Sequence, residues 1–88
     1  MTGVDAVDVY RRDGCWFCAC LERKLAKSGL PVRYHDIWAD DEARAFVRAH
    51  NRGNETVPTV AVGAVVLTNP SFRDVERLVG DEAPHLIS

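Results

Sequence analysis

Apolar and β-branched residues crowd the stretch from Val4 to Tyr10, at Val4, Ala6, Val7, Val9 and Tyr10, and predict a short strand buried on both faces. Arg11-Arg12-Asp13-Gly14 then reads as a turn in which Gly14 supplies backbone freedom. From Cys15 to about Ser28 the period changes. Phe17, Leu21 and Leu25 recur every four residues, which predicts a helix with these three on its core stripe and Glu22, Arg23, Lys24 and Lys27 on the other side. Ser28-Gly29 closes that helix, because glycine suits the left-handed cap position, and Pro31 prevents its resumption.

Val32 to Ile37 alternates apolar and polar, a second strand. Reached through a helix, it should lie parallel to the first by a right-handed crossover. Trp38-Ala39 is a loop, and Asp40-Asp41-Glu42 sets acids at a helix start. Ala43, Phe46 and Val47 then face the core, and this helix frays at His50-Asn51 before Gly53. Val57 to Val62 predicts a third strand, headed by Pro58 where a missing ladder donor is tolerated. Gly63-Ala64 reverses the chain and Val65-Val66-Leu67 returns antiparallel. Before the last helix stands Thr68-Asn69-Pro70-Ser71. Either Asn69 caps it with Pro70 at the first helical position, or Ser71 caps it with Asp74 reaching back. Val75, Leu78 and Val79 form its apolar face, Gly80 and Pro84 end it, and the last residues are loosely held. The order is β-α-β-α-β-β-α: an α/β fold with a four-stranded mixed sheet and helices on both faces.

Eighty-eight residues make one domain, 1–88, with a modest core. Eleven basic and 13 acidic side chains are well mixed and leave a net charge of −2, so there is no electrostatic footprint for nucleic acid or an anionic membrane. No apolar run approaches the ~20 residues that span a bilayer. Met1-Thr2-Gly3-Val4-Asp5 lacks the basic and apolar regions of a signal peptide, so a cytoplasmic location is expected. There the three cysteines stay reduced, which favours catalytic or metal roles over structural disulfides.

Cys15, Cys18 and Cys20 follow the first strand and open the first helix. A thiolate at Cys15 would meet the free N–H groups and the positive dipole end of that helix, the setting of reactive cysteines. Cys18 lies one turn on, on the same face, so the two can join in a disulfide. Cys20 points about 140° away from Cys15 and about 160° away from Cys18. Three readings compete. C-x-x-C-x-C supplies three zinc ligands with His35 or His50 as the fourth, although structural zinc sites draw their ligands from separated pairs. A structural disulfide would close too short a loop to add much stability. A redox-active C-x-x-C after a strand in a β-α-β chain is the default, with Cys20 a passive thiol.

Four stretches carry a family likeness: Cys15-Trp16-Phe17-Cys18, Asp36-Ile37-Trp38, Gly53-Asn54-Glu55-Thr56-Val57-Pro58-Thr59-Val60 and Thr68-Asn69-Pro70-Ser71. With them the chain resembles the glutaredoxin family of the thioredoxin fold from about Val7 to Val79. Within it, the chain is most similar to the mycoredoxins, which work with the thiol mycothiol. The resemblance implies that Cys15 is the nucleophile and Cys18 the second cysteine, able to close an internal disulfide. It implies a cis Val57-Pro58 peptide beside Cys15, whose backbone pairs with the low-molecular-weight thiol. Thr68, Asn69 and Ser71 would hold a carboxylate or sugar portion of that thiol, and Arg12, three before the cysteine, would be its basic contact.

Trp16 is expected beside the thiol, free to stack on substrate. Phe17 is read as core while also standing between the cysteines of the thiol-binding motif. Trp38 faces a partner protein or packs partly against the sheet, and the histidines are surface residues. The C-P-Y-C motif and Gly-Gly pair of typical glutaredoxins are absent, which weighs against glutathione as the natural thiol. The expected function is reduction of protein–mycothiol mixed disulfides through Cys15, with mycothiol as reductant, no bound cofactor, S-thiolated proteins as partners and a monomeric state. The alternatives are a dithiol carrier reduced by thioredoxin reductase, as in donors to ribonucleotide reductase, and a non-catalytic iron–sulfur or metal carrier.

Overall fold

Val7 and Val9 point to the same face of β1 (Val7–Arg11) and are fully buried there, while Asp8 and Tyr10 turn to the opposite face. This alternation sets the layers of the whole molecule. The computed structural model describes residues 4–87; Met1, Thr2 and Gly3, part of the start read above as lacking signal-peptide features, and Ser88, at the end expected to be loosely held, lie outside the described residues. After β1 come α1 (Trp16–Ser28), β2 (Val32–Asp36), α2 (Asp41–His50), β3 (Thr59–Val62), β4 (Val65–Thr68), α3 (Phe72–Glu82) and a short 3-10 turn at Pro84–Leu86. The sheet order is β2-β1-β3-β4. β1 runs parallel to β2 and antiparallel to β3, and β3 pairs antiparallel with β4, so the mixed sheet and the element order agree with the reading from sequence.

The larger core packs Val7, Val9, Val60 and Val62 of the sheet against Leu21 and Leu25 of α1 and Val75, Val79 and Ala83 at α3. On the other face Ile37 packs with Ala43 and Val47 of α2, flanked by Tyr10 and Val57. Being covered on both faces, β3 is buried at all four of its positions. Among the described residues no helix is long and apolar enough to cross a membrane.

The structure corrects several details. β1 extends to Arg11 rather than stopping at Tyr10, because its register with β2 runs to the Arg11–Asp36 pair and the Arg11 carbonyl accepts from Ile37 N–H at 3.0 Å. Gly80 lies inside α3: packing of Val79 and Ala83 in the core, joined by a 2.8 Å hydrogen bond, carries the helix past it. Ser71 is the cap of α3, in a reciprocal capping box with Asp74, whereas Asn69 sits at φ 50 in the left-handed region. Phe46 is only half-buried, stacked on Tyr10 at 4.5 Å and against His50 at 4.3 Å. His35 is half-buried too, stacked on Tyr10 and hydrogen-bonded to Asp8 at 2.9 Å, so it is no simple surface residue.

Behind the loop that leads into β3, Asn51 joins three elements. Its amide donates to the Val47 carbonyl (2.7 Å) and the Thr59 hydroxyl (3.3 Å), and accepts from the Thr68 hydroxyl (2.6 Å). Thr59, fully buried, donates in turn to the Thr56 carbonyl at 2.7 Å. Replacing Asn51 by alanine removes all three bonds; Asn51→Ala is expected to lower the unfolding free energy by about 1–3 kcal/mol in urea denaturation, and Thr68→Val, which loses only the exposed arm, by less.

Candidate active site

β1 ends at Arg11, and Arg12, Asp13 and Gly14 turn the chain, Gly14 with φ 77 where a side chain would be strained. The turn delivers Cys15 as the N-cap of α1, in extended conformation. Its Sγ accepts a hydrogen bond from Cys18 N–H at 3.2 Å, the task that serine or aspartate oxygen performs at most helix starts. The thiol of Cys15 also lies 3.8 Å from the Val57 carbonyl, to which it donates. The Val57-Pro58 peptide is cis, and the Pro58 carbonyl accepts from Asn69 N–H at 2.7 Å, tying this loop to the start of α3.

Cys15 is half-exposed and Cys18 is 1% exposed beneath it. Burial first, and then the hydrogen bond with Cys15, push the Cys18 thiol up to about 12. All three cysteines are free thiols. Cys20 is half-buried on another side of α1. It lines a concavity of about 250 Å³ together with Phe17, Lys24, Asn69 and Ser71.

The residues singled out by sequence divide into two adjoining places and one outlier. Arg12, Cys15 and Trp16 line one concavity of about 330 Å³, with Val57 and Pro58 across the thiol. Phe17, Asn69 and Ser71 line the smaller one beside it. The Ser71 hydroxyl is taken up by the Asp74 N–H, so its contribution there is through its backbone and position. Thr68 lies apart: its hydroxyl is bonded to Asn51 and it borders a different groove with Leu67, Asp74 and Arg77.

Phe17 is the main correction. It is 62% exposed, not core, and the buried stripe of α1 is Cys18, Leu21 and Leu25. The second residue of α1, it lines the concavity shared with Leu21, Pro70 and Phe72 instead of entering the core. Trp16 is 70% exposed, as expected. Among the described residues no three His, Cys, Asp or Glu side chains gather in a metal-holding group, and His35 and His50 are engaged by Asp8 and the Phe46 carbonyl.

Two sets of contacts were missed. Arg11, read as a turn residue, is half-buried and meets Glu22 (3.0 Å), Asp13 (3.2 Å) and Asp36 (3.8 Å), one carboxylate each from α1, the turn and β2. Trp38 is 57% exposed, and the Arg12 guanidinium lies over its ring at 5.3 Å. No local pattern announces the Arg11–Asp36 and Arg12–Trp38 contacts, since the parallel pairing of β1 and β2 brings those partners together.

A family model described as Glutaredoxin matches residues 7–67, from the start of β1 into β4. Among solved structures, the chain is similar to a glutaredoxin from Brucella melitensis, with 27% identity, 98% of this chain and 91% of that one covered, and a TM-score of 0.62. A dithiolic glutaredoxin from Trypanosoma brucei brucei shows 21% identity, coverage of 98% and 89%, and a TM-score of 0.64. A mutant of a thioredoxin-like protein shows 19% identity, coverage of 83% and 97%, and a TM-score of 0.72. No curated protein matches the chain. The chain belongs to the glutaredoxin family and is a thiol–disulfide oxidoreductase, of the kind that draws on a low-molecular-weight thiol as co-substrate.

Proposed function

We propose that the chain removes mycothiol from protein–mycothiol mixed disulfides, with Cys15 as nucleophile. The observation that carries the role of Cys15 is its place at the head of α1: half-exposed, hydrogen-bonded by the Cys18 N–H and set against the Val57 carbonyl. The thiolate, not the thiol, attacks disulfides. It attacks the mycothiol sulfur of the mixed disulfide. The substrate protein leaves as a thiolate and takes up a proton, and Cys15 is left disulfide-bonded to mycothiol. A second mycothiol thiolate then attacks the mycothiol sulfur of this adduct, releases oxidised mycothiol and restores Cys15. An adduct on Cys15 would lie along the Val57-Pro58 backbone, with Arg12 and Trp16 on one side and Phe17, Asn69 and Ser71 on the other. Mycothiol is favoured by Asn54-Glu55-Thr56-Val57-Pro58-Thr59-Val60 with Thr68-Asn69-Pro70-Ser71, and by the absence of the Gly-Gly pair of typical glutathione-using members.

A dithiol route is the second reading, and it too has its observation. Cys18 lies buried against Cys15 and hydrogen-bonded to it, in position to attack the adduct and close a Cys15–Cys18 disulfide for a reductase to open. In the reduced protein burial and the hydrogen bond with Cys15 push its thiol up to about 12.

Exposure of the reduced protein to oxidised mycothiol and, separately, oxidised glutathione tests the thiol by intact mass. A Cys15 adduct from mycothiol with little from glutathione is expected; equal adducts would leave a glutaredoxin of broad thiol use. Cys15→Ser is expected to abolish turnover, and Cys18→Ser to retain it. Loss of turnover in Cys18→Ser would establish the dithiol route instead. Native Cys18 is expected to escape iodoacetamide near neutral pH and to react only as the pH climbs towards its raised value of about 12.

A further inference from the structure

Arg11 and Arg12 are neighbours with opposite surroundings. Arg11 faces three carboxylates, whereas among the described residues no carboxylate pairs with Arg12. The partners of Arg12 are the Asp13 carbonyl, 3.4 Å from Nη1, and the face of Trp38. Trp38 is itself tightly placed. Ile37, fully buried, donates its N–H to Arg11 (3.0 Å), Trp38 donates its N–H to the Asp36 carboxylate (2.9 Å), and Ala39 and Asp40 both donate to the Asp36 carbonyl. The ends of the parallel strands β1 and β2 thus set Arg12 and Trp38 side by side. A guanidinium lying on an aromatic face keeps its edge donors for an oxygen acceptor, and it loses less freedom when it binds one.

We infer that Trp38 is a positioning residue for the thiol partner. It holds the Arg12 guanidinium at the concavity shared with Cys15 and Trp16, where Arg12 receives an oxygen of the group that becomes disulfide-linked to Cys15. The inference rests on Arg12 being a contact of the thiol, and it adds that Trp38, distant in sequence, sets the strength of that contact. The oxygen belongs to a carboxylate, as in glutathione, or to an amide or sugar, as in mycothiol.

The test compares alkylation of Cys15 by iodoacetate and iodoacetamide, followed at Cys15 by fragment mass, in wild type, Arg12→Ala, Trp38→Ala, Trp38→Phe and the Arg12→Ala/Trp38→Ala double variant. The two reagents differ in charge and hardly in size. The iodoacetate-to-iodoacetamide rate ratio is expected to fall about fivefold in both alanine variants and no further in the double variant. Trp38→Phe, which keeps an aromatic face, should retain most of the ratio. A ratio unchanged in Trp38→Ala overturns the inference, and so does an equal slowing with both reagents, which would report a disturbed loop. This readout needs no mycothiol, so it separates the role of Trp38 from the identity of the thiol. In turnover, Trp38→Ala should raise KM and leave kcat intact. A rise with mycothiol disulfide assigns the oxygen to the amide or sugar, and a rise confined to glutathione disulfide assigns it to a carboxylate.

Discussion

A sulfur stands where helix starts usually place an oxygen. The hydrogen bond from Cys18 N–H to Cys15 Sγ caps α1, and so the group that must be ordered for the helix to begin is also the sulfur proposed as nucleophile. The consequences run both ways along the chain. Upstream, the turn from Arg12 to Gly14 has to bring the cap back over the end of β1, which a positive φ at Gly14 permits. Downstream, the same bond places Cys18 on the inward face of the first turn. There burial and the neighbouring sulfur keep it protonated while Cys15 remains accessible. Two cysteines three positions apart thus take different chemical characters from one helix start.

The cap needs a second wall, and the opposite side of the molecule supplies it. Val57 reaches the sulfur with its carbonyl because Thr59 anchors the buried head of β3 and Asn51 ties that strand to the end of α2 and to β4. The Pro58 carbonyl then holds Asn69, so the loop beside the thiol and the loop before α3 are one connected piece of backbone. Arg11 does the corresponding work on the other flank, joining α1, the turn and the end of β2 through three carboxylates. Such half-buried ion pairs are worth more for fixing relative position than for net stability. In an 88-residue chain with a modest core, the site is held by these polar junctions around the rim of the sheet.

Much of this was legible in the chain itself. The periodicity at Val7 and Val9, at Leu21 and Leu25, and at Val75 and Val79 marked the core faces. Gly29 marked the end of α1 with its left-handed cap, and Cys15 with Thr56-Val57-Pro58 marked the place where the helix start meets the cis peptide. What could not be read were contacts that exist only after the strands pair. Arg11 looks like a turn residue until the register with β2 is known, and Asn51 looks like a fraying helix end until β3 and β4 lie beside it. Gly80 misled for a related reason, since local propensity was overridden by the packing of Val79 and Ala83.

Phe17 misled for a different reason, and it is the more instructive case. Its spacing with Leu21 and Leu25 is that of a core residue, and burying a phenylalanine would contribute about 1.5–3 kcal/mol, yet the side chain stands in solvent. Trp16 and Trp38 are exposed at the same end of the molecule. Placing Trp16, Phe17 and Trp38 in solvent gives up core stability at the end of the molecule that also carries Cys15. Conflicts between local pattern and observed burial are expected where a surface is kept for binding. Here they fall around the thiol: Trp16 on one side, Phe17 on the other and Trp38 beneath Arg12. The departure of the helix from its own periodicity therefore supports the proposed binding surface, independent of any cysteine motif.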